Sequence, residues 1–524
     1  MRIVNKVLTT SVLILLCVFF LTASVPSVPT GTWQSWNPMG DVRSGAAAVL
    51  LQDGRVLISG GSNASGPTAS ADLFDTNGAF TAITPMNSAR SGHIATLLGD
   101  GRVLVSGGDT GSGITNSAEV FDPATGSWTL LSATLLDARA GHTASLLSDG
   151  RVLFAGGHNS GGALSTLEIF DPLNDDFTSA GTLTANRMNH AAAVLGDGRV
   201  LVIGGTADGT NALATVDIYD PVTRTVGVGP SLSTPRMSAT ATTTLDGKVA
   251  VIGGSNGSQD LASAEIFDPA TGQITLSASN LATPRSGHNA FLLPNNNSIL
   301  IVGGTSGGTD LNSAELYFPW TDSFQTTGAM STARLGMTGS ALGQDGRFLA
   351  AGGTNLASTE LYGFASVKTD AADYPPGSTV TITGSGWRPG ETVTLTLVES
   401  PLFDTHGPYN VVADGNGNIS DSSFVTDEHD LNIRFYLTAV GSQSGVQAQN
   451  TFTDAIKLQT ISVGLQTPSP IAPGGSATYS VAGTLTATAL PATRRSLLPA
   501  FCQPGQTLPS VQERSPVRAR RRQP

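Results

Sequence analysis

Seven glycine pairs constrain this chain more than any other feature. They fall at Gly60-Gly61, Gly107-Gly108, Gly156-Gly157, Gly204-Gly205, Gly253-Gly254, Gly303-Gly304 and Gly352-Gly353, with spacings of 47, 49, 48, 49, 50 and 49 residues. A fixed period of this length marks stacked supersecondary units, each too small to bury its own apolar face. The pairs help raise glycine to 62 of 524 residues, against roughly 7% in average usage. Collagen is excluded because the glycines do not fall every third residue. A long helix or coiled coil is excluded because it needs Ala, Glu, Lys, Leu and Arg near half the chain.

Each unit reads as four strands. The first begins after an arginine, at Arg43, Arg90, Arg139, Arg187, Arg236, Arg285 and Arg334. It leads to Asp-Gly in six units, from Asp53-Gly54 to Asp345-Gly346, and to Asn295-Asn296-Asn297 in the sixth unit. Asp-Gly between apolar runs predicts a two-residue type I′ hairpin with positive φ at both central residues, and Asn also tolerates that region. The second strand is continuously apolar, as in Val103-Leu104-Val105, which predicts burial on both faces. After a Gly/Ser-rich loop, the third strand carries an acid, an aliphatic residue and an aromatic one, as in Glu119-Val120-Phe121. A turn such as Asp122-Pro-Ala-Thr-Gly126 leads to the fourth, Ser127-Trp128-Thr129-Leu130.

A four-stranded unit of about 50 residues with a Gly pair after its second strand resembles the kelch repeat of β-propellers. The resemblance spans 31–364 and implies a seven-bladed propeller. The last unit ends at its third strand near Tyr362-Gly363, whereas Thr32-Trp33-Gln34-Ser35-Trp36 before the first unit resembles a fourth strand. Residues 32–39 are therefore expected to complete the last blade and remove the open edges.

An arginine opens every first strand and an acid opens every third strand, which predicts seven structural ion pairs holding strands or blades in register. His93, His142, His190 and His288 lie three residues after the repeat arginine, where other units have Ala46, Ala239 and Met337. Apolar replacement marks this as a packing position, and neighbouring blades would hold the rings too far apart to share one tetrahedral metal.

The kelch resemblance includes galactose oxidase, a copper enzyme with an immunoglobulin-like domain after its propeller. Its site needs a tyrosine cross-linked to a cysteine, with further tyrosine and histidine ligands. No cysteine lies between Cys17 and Cys502, and Tyr219, Tyr317 and Tyr362 occupy the third-strand aromatic slot. The Cys-Tyr copper site is thus not expected. The loops from the second glycine to the acid span 11, 11, 11, 12, 11, 11 and 7 positions and hold Ser, Gly, Thr, Asn and Ala. His158 is their only histidine and reads as a solvated polar residue. No carboxylate pair, G-x-S-x-G elbow, H-E-x-x-H or Walker-type loop is found. No catalytic, cofactor-binding or metal residue is assigned.

From about Val367 the pattern becomes alternating strands between Pro-Gly turns, as in Thr392-Val393-Thr394-Leu395-Thr396-Leu397. Residues 366–456 read as an immunoglobulin-like β-sandwich, similar to modules of bacterial exported proteins. Asp414-Gly-Asn416-Gly-Asn418 has the start of a calcium loop, but Ile419 and Val425 stand where that loop needs Gly and Glu, so a hairpin turn is expected. Residues 457–490 begin a second module that does not complete. The tail 491–524, with seven arginines and one glutamate, reads as disordered: a frameshift artefact or a basic interaction tail.

Arg2 and Lys6, the apolar run 7–21 and the small residues that follow read as a signal peptide over 1–24, with an uncleaved anchor as the alternative. Cys17 follows Leu16, so lipoprotein cleavage is not expected there. Asn63-Ala-Ser65 and Asn256-Gly-Ser258 fit a glycosylation pattern but read as loop chemistry. Net charge is 27 − 39 = −12, which disfavours a nucleic-acid partner.

Together these features describe an all-β protein, a seven-bladed kelch β-propeller followed by an immunoglobulin-like β-sandwich. The expected function is a secreted or cell-surface, non-catalytic binding or adhesion protein. It is a monomer without a cofactor or membrane insertion, and it presents a propeller face to a protein or glycan ligand. The alternatives are a secreted carbohydrate-active oxidase of galactose oxidase architecture and a structural envelope component.

Overall fold

The computed structural model describes residues 28–343, 346–427 and 433–454, with the backbone strands Leu458–Val463 and Val481–Leu485. Residues 1–24 and the tail 491–524 lie outside the described residues. Of 457–490, the two backbone strands are described, and they pair antiparallel. Every described element is a strand.

Residues 31–364 form seven antiparallel four-stranded sheets. The second sheet is representative, with Ile94–Leu97, Val103–Ser106, Ala118–Asp122 and Ser127–Leu130 in order. The seventh joins Thr338–Ala341, Arg347–Ala351 and Thr359–Gly363 to the N-terminal strand Trp33–Trp36, which pairs Trp33 with Tyr362 and Trp36 with Thr359. The innermost strands touch their neighbours around a full circle, Ala47–Leu50 meeting both Ile94–Leu97 and Thr338–Ala341.

The apolar second strands explain how the sheets pack. Val103 and Val105 point toward the first sheet, into a core with Leu57, Leu73 and Phe121. Leu104 points the other way, into a core with Phe154 and Phe170 of the third sheet. Alternation along a strand therefore feeds two inter-sheet cores at once, and all three residues are fully buried.

The Asp-Gly hairpins differ from the type I′ expectation. Gly54, Gly101, Gly150, Gly198 and Gly247 have positive φ, but the aspartates before them do not. In the second sheet the Gly101 amide donates to the Leu98 carbonyl at 3.0 Å, and the Leu98 amide donates to the Arg102 carbonyl at 2.8 Å. This is a type I turn over Leu98–Gly101 closed by a glycine in the left-handed region. Aspartate is suited to it because Asp100 accepts from the Arg102 amide and from the Arg102 guanidinium, at 3.0 and 2.7 Å.

Two further sheets follow, one of Ser366–Thr369, Ile382–Ser385 and Ile419–Asp421 and one of Thr405–Val412, Thr392–Ser400, Ile433–Gly441 and Gln447–Asp454. They pack over one core that includes Trp387, Phe424, Phe435 and Phe452, so this region is a β-sandwich. Asp414 accepts from the amides of Asn416 and Asn418 at 2.8 Å, a tight turn held by its first side chain; it joins strands of the two sheets and so is not the expected hairpin.

The sandwich docks on the sixth sheet's exceptional hairpin. Asn296 donates to the carbonyls of Ala365 and Gln447 at 2.7 and 3.1 Å, and Asn297 donates to the Gln449 side chain at 2.8 Å. The Val367 amide donates to the Asn295 carbonyl at 2.8 Å. The one hairpin that departs from Asp-Gly thus meets the second domain through its own amide side chains, which satisfy buried backbone groups that water cannot reach, while Arg434 of that domain also donates to the Leu245 carbonyl of the fifth hairpin at 3.4 Å.

Candidate binding face

The repeat arginines organise the ring from inside. Their side chains are 0–1% exposed. Arg43–Asp72, Arg90–Glu119, Arg187–Asp217, Arg236–Glu265, Arg285–Glu315 and Arg334–Glu360 pair at 2.7 to 3.0 Å, and Arg139 pairs with Glu168 in the same way. Each pair lies within one sheet. Another guanidinium nitrogen donates to the first carbonyl of that sheet's Gly pair, as from Arg90 to Gly107 at 2.8 Å. In six sheets the carboxylate also holds the crossover from the preceding sheet: Glu119 accepts from the Asn87 and Ser88 amides, and Glu265 from those of Ser233 and Thr234. Burial pulls Arg187, Arg236 and Arg285 below the ordinary arginine value, against the pull of the paired carboxylate.

The four repeat histidines are buried and lie against the preceding sheet. Nε2 of His93, His190 and His288 meets the hydroxyl of Ser59, Thr143 and Thr240 at 3.2, 3.0 and 3.1 Å. Burial, aided by nearby arginines, lowers these three rings to about 3 and holds His142 well below the usual histidine range. They are neutral packing groups on separate interfaces.

At the end of the ring opposite the hairpins, the residue after each of the first six arginines bridges to the residue after the Gly pair, as Ser91 does to Asp109 and Ala140 to His158. The next position along carries a feature that the sequence reading missed. Gly45, Gly92, Gly141, Asn189, Ser238, Gly287 and Gly336 all have φ between 52 and 66°. The Gly45 amide donates to Gly336, Gly92 to Gly45, Ser238 to Asn189 and Gly287 to Ser238, at 2.8 to 3.0 Å. These bonds join the residues into two backbone arcs at the mouth of the axis, Gly336 to Gly92 and Asn189 to Gly287. The available signal was five glycines and one asparagine two residues after the arginines, the types that enter the left-handed region most readily.

The loops around this mouth use their polar groups to shape themselves. Asn63, Asp109, Asn159 and Asn256 each accept from the amide two residues on, at 2.8 to 2.9 Å. Asp208 accepts from the Thr210 and Asn211 amides, and these bonds hold its carboxyl well below the usual range. His158 differs from the solvated residue expected: it is half-buried, and its Nδ1, which would lie 3.4 Å from a Cβ on Gly141, is sequestered with no hydrogen-bond partner among the described residues. Among the described residues, no three His, Cys, Asp or Glu side chains converge on a possible metal position.

The kelch motif matches residues 92–133, 187–233 and 236–273. No match is found among curated proteins. Among solved structures, a fungal alcohol oxidase of the AA5 family in complex with copper is 20% identical, with a TM-score of 0.55 over 81% of this chain and 100% of that one. The structure of YjhT is 17% identical, with a TM-score of 0.45 over 56% of this chain and 99% of that one. At these identities the likeness to the oxidase is one of fold. The motif matches and the repeated four-stranded sheets support a kelch β-propeller fold for this chain.

Among the described residues, the repeat histidines and third-strand tyrosines do not form a copper site. The four repeat histidines are divided among four inter-sheet positions, and three of them bond a neighbouring hydroxyl through Nε2. Tyr317 and Tyr362 bond Asp322 and Thr327 in the outer parts of their sheets.

Proposed function

We propose that this chain is an exported, non-catalytic binding protein: a seven-bladed kelch propeller that presents its loop-bearing end to a protein or glycan ligand, carried on an immunoglobulin-like module. The observation that carries this reading is the chemistry of that end. Its mouth is lined by backbone, its loop tips are rich in Gly, Ser, Thr, Asn and Ala, and Asn63, Asp109, Asn159, Asp208 and Asn256 are engaged in local turns. Such a surface offers hydrogen-bonding shape without a nucleophile set beside a general base. Export is supported by the signal-like pattern of 1–24. The fold likeness to an alcohol oxidase supports an oxidase as the second reading.

Glycan-array binding and proximity labelling with the secreted chain test the proposal. Saturable binding that is lost when the Ala207–Asn211 tip is replaced is the expected result. Stoichiometric copper with alcohol turnover would replace this reading with the oxidase.

A further inference from the structure

The hairpin end holds a cleft of about 330 Å³ between the fifth and sixth sheets, at the one interface where the repeat puts a lysine in place of the arginine. Two residues after the hairpin aspartate stands an arginine in five units: Arg55, Arg102, Arg151, Arg199 and Arg347. In the first two interfaces this arginine crosses to the next sheet. Arg55 donates to the Pro123 carbonyl at 3.3 Å, and Arg102 donates to Pro172 and Asp175 at 3.1 and 3.5 Å. The fifth unit has Lys248 instead. Its ammonium pairs locally with Asp246 at 3.0 Å, and the next sheet's counterparts of Pro172 and Asp175, namely Pro319 and Asp322, line the cleft.

The cleft thus lies at the repeat position that the Arg102 guanidinium reaches between the second and third sheets. It is lined by one cation, Lys248, and three carboxylates, Asp246, Asp268 and Asp322. Asp268 and Asp322 have no ion pair among the described residues. Asp322 is held rigidly, accepting from Ser277, Tyr317 and the Ala278 amide at 2.6 to 2.9 Å. A fixed carboxylate suits a planar, forked donor better than a compact ammonium.

We propose that this cleft binds a guanidinium group presented by an arginine of a partner protein. It lies at the opposite end of the ring from the loop face and is tested separately from it. Ligand-observed NMR of the full chain would use a capped Gly-Arg-Gly peptide, a capped Gly-Gln-Gly peptide and methylguanidine. The arginine peptide is expected to bind saturably, near 1 mM as a single side chain, with methylguanidine weaker and the glutamine peptide silent. Lys248→Arg, which supplies the chain's own guanidinium, is expected to weaken the peptide at least tenfold, and Asp322→Asn to do the same. Absent saturation, equal binding of the glutamine peptide, or undiminished binding to a folded Lys248→Arg variant would overturn the proposal. Methylguanidine binding as tightly as the peptide would overturn the assignment to a protein partner.

Discussion

The Gly353 amide donates to the Arg43 carbonyl at 2.9 Å, joining the last glycine pair to the first repeat arginine. The same bond runs from Gly61 to Arg90, Gly108 to Arg139, Gly157 to Arg187, Gly205 to Arg236, Gly254 to Arg285 and Gly304 to Arg334. Each arginine thus binds its own sheet through its side chain and the preceding sheet through its backbone. The first glycine of each pair leaves room for this contact: a Cβ on Gly156 would lie 2.5 Å from the Arg187 carbonyl and 2.9 Å from the His190 ring.

Gly156→Ala is expected to destabilise the ring by at least about 2 kcal/mol, because it adds this clash to a φ of 54° that L-residues adopt at a cost. Gly196→Ala is the control. It has no heavy atom within 4 Å and no positive φ, so it should be neutral or stabilise by up to about 1 kcal/mol. Urea unfolding of the two variants checks the contrast.

Arg187→Met should cost about 3–5 kcal/mol, because Asp217 would remain buried with its partner removed. Replacing both residues, Arg187→Met with Asp217→Leu, should recover part of that loss, since no lone buried charge remains. A urea series on the single and double variants measures the coupling; equal losses in both would show that the pair acts only through volume.

Acid should weaken the fold through the repeat histidines. His93, His190 and His288 titrate near 3 when folded and near 6.5 when unfolded. The unfolded chain therefore binds more protons between these values, and stability falls as pH drops from about 6.5 toward 3. At pH 5 each histidine should cost about 2 kcal/mol relative to neutral pH. His190→Met, which copies the methionine found at the same repeat position in Met337, should flatten the Tm-against-pH curve in this window.

Trp33→Ala should loosen the seventh sheet. The indole packs 5.0 Å from Tyr362 and 6.3 Å from Phe348 between ring centroids, and it donates to the Gly328 carbonyl at 2.8 Å. The expected loss is about 3 kcal/mol, with amide exchange accelerated first in Thr359–Gly363. Removing 31–40 altogether should lower the Tm sharply.

Converting Asn295-Asn296-Asn297 to the Asp-Gly form of the other units should free the sandwich while leaving the seven sheets folded. The expected signature is a larger radius of gyration in X-ray scattering and new proteolysis near Phe364, with unchanged far-UV circular dichroism.

Much of the ring was legible because repetition multiplies weak signals. A single Arg90 and Glu119 say little, but seven such pairs at matched offsets can be satisfied only by a contact repeated in every sheet. The hairpin geometry was misread at Asp100-Gly101, since Asp-Gly serves both the type I′ turn and the type I turn closed by a left-handed glycine, and the local sequence does not separate them. The backbone arc at Gly45 and Gly92 is not legible in the sequence, because glycines there resemble ordinary loop residues until neighbouring sheets bring their amides and carbonyls together.

The sequence by itself determined the strand content, the period and the ion-paired interior of each unit, because these depend on residues close in the chain or repeated along it. Only the tertiary structure decided that the Asn295–Asn297 hairpin is a domain interface, that His158 turns a nitrogen away from solvent, and that Lys248 lines a cleft between the fifth and sixth sheets. Each of these depends on a group contributed by another sheet or domain. The change from arginine to Lys248 matters only because another sheet holds the Asp322 carboxylate in place across the same cleft.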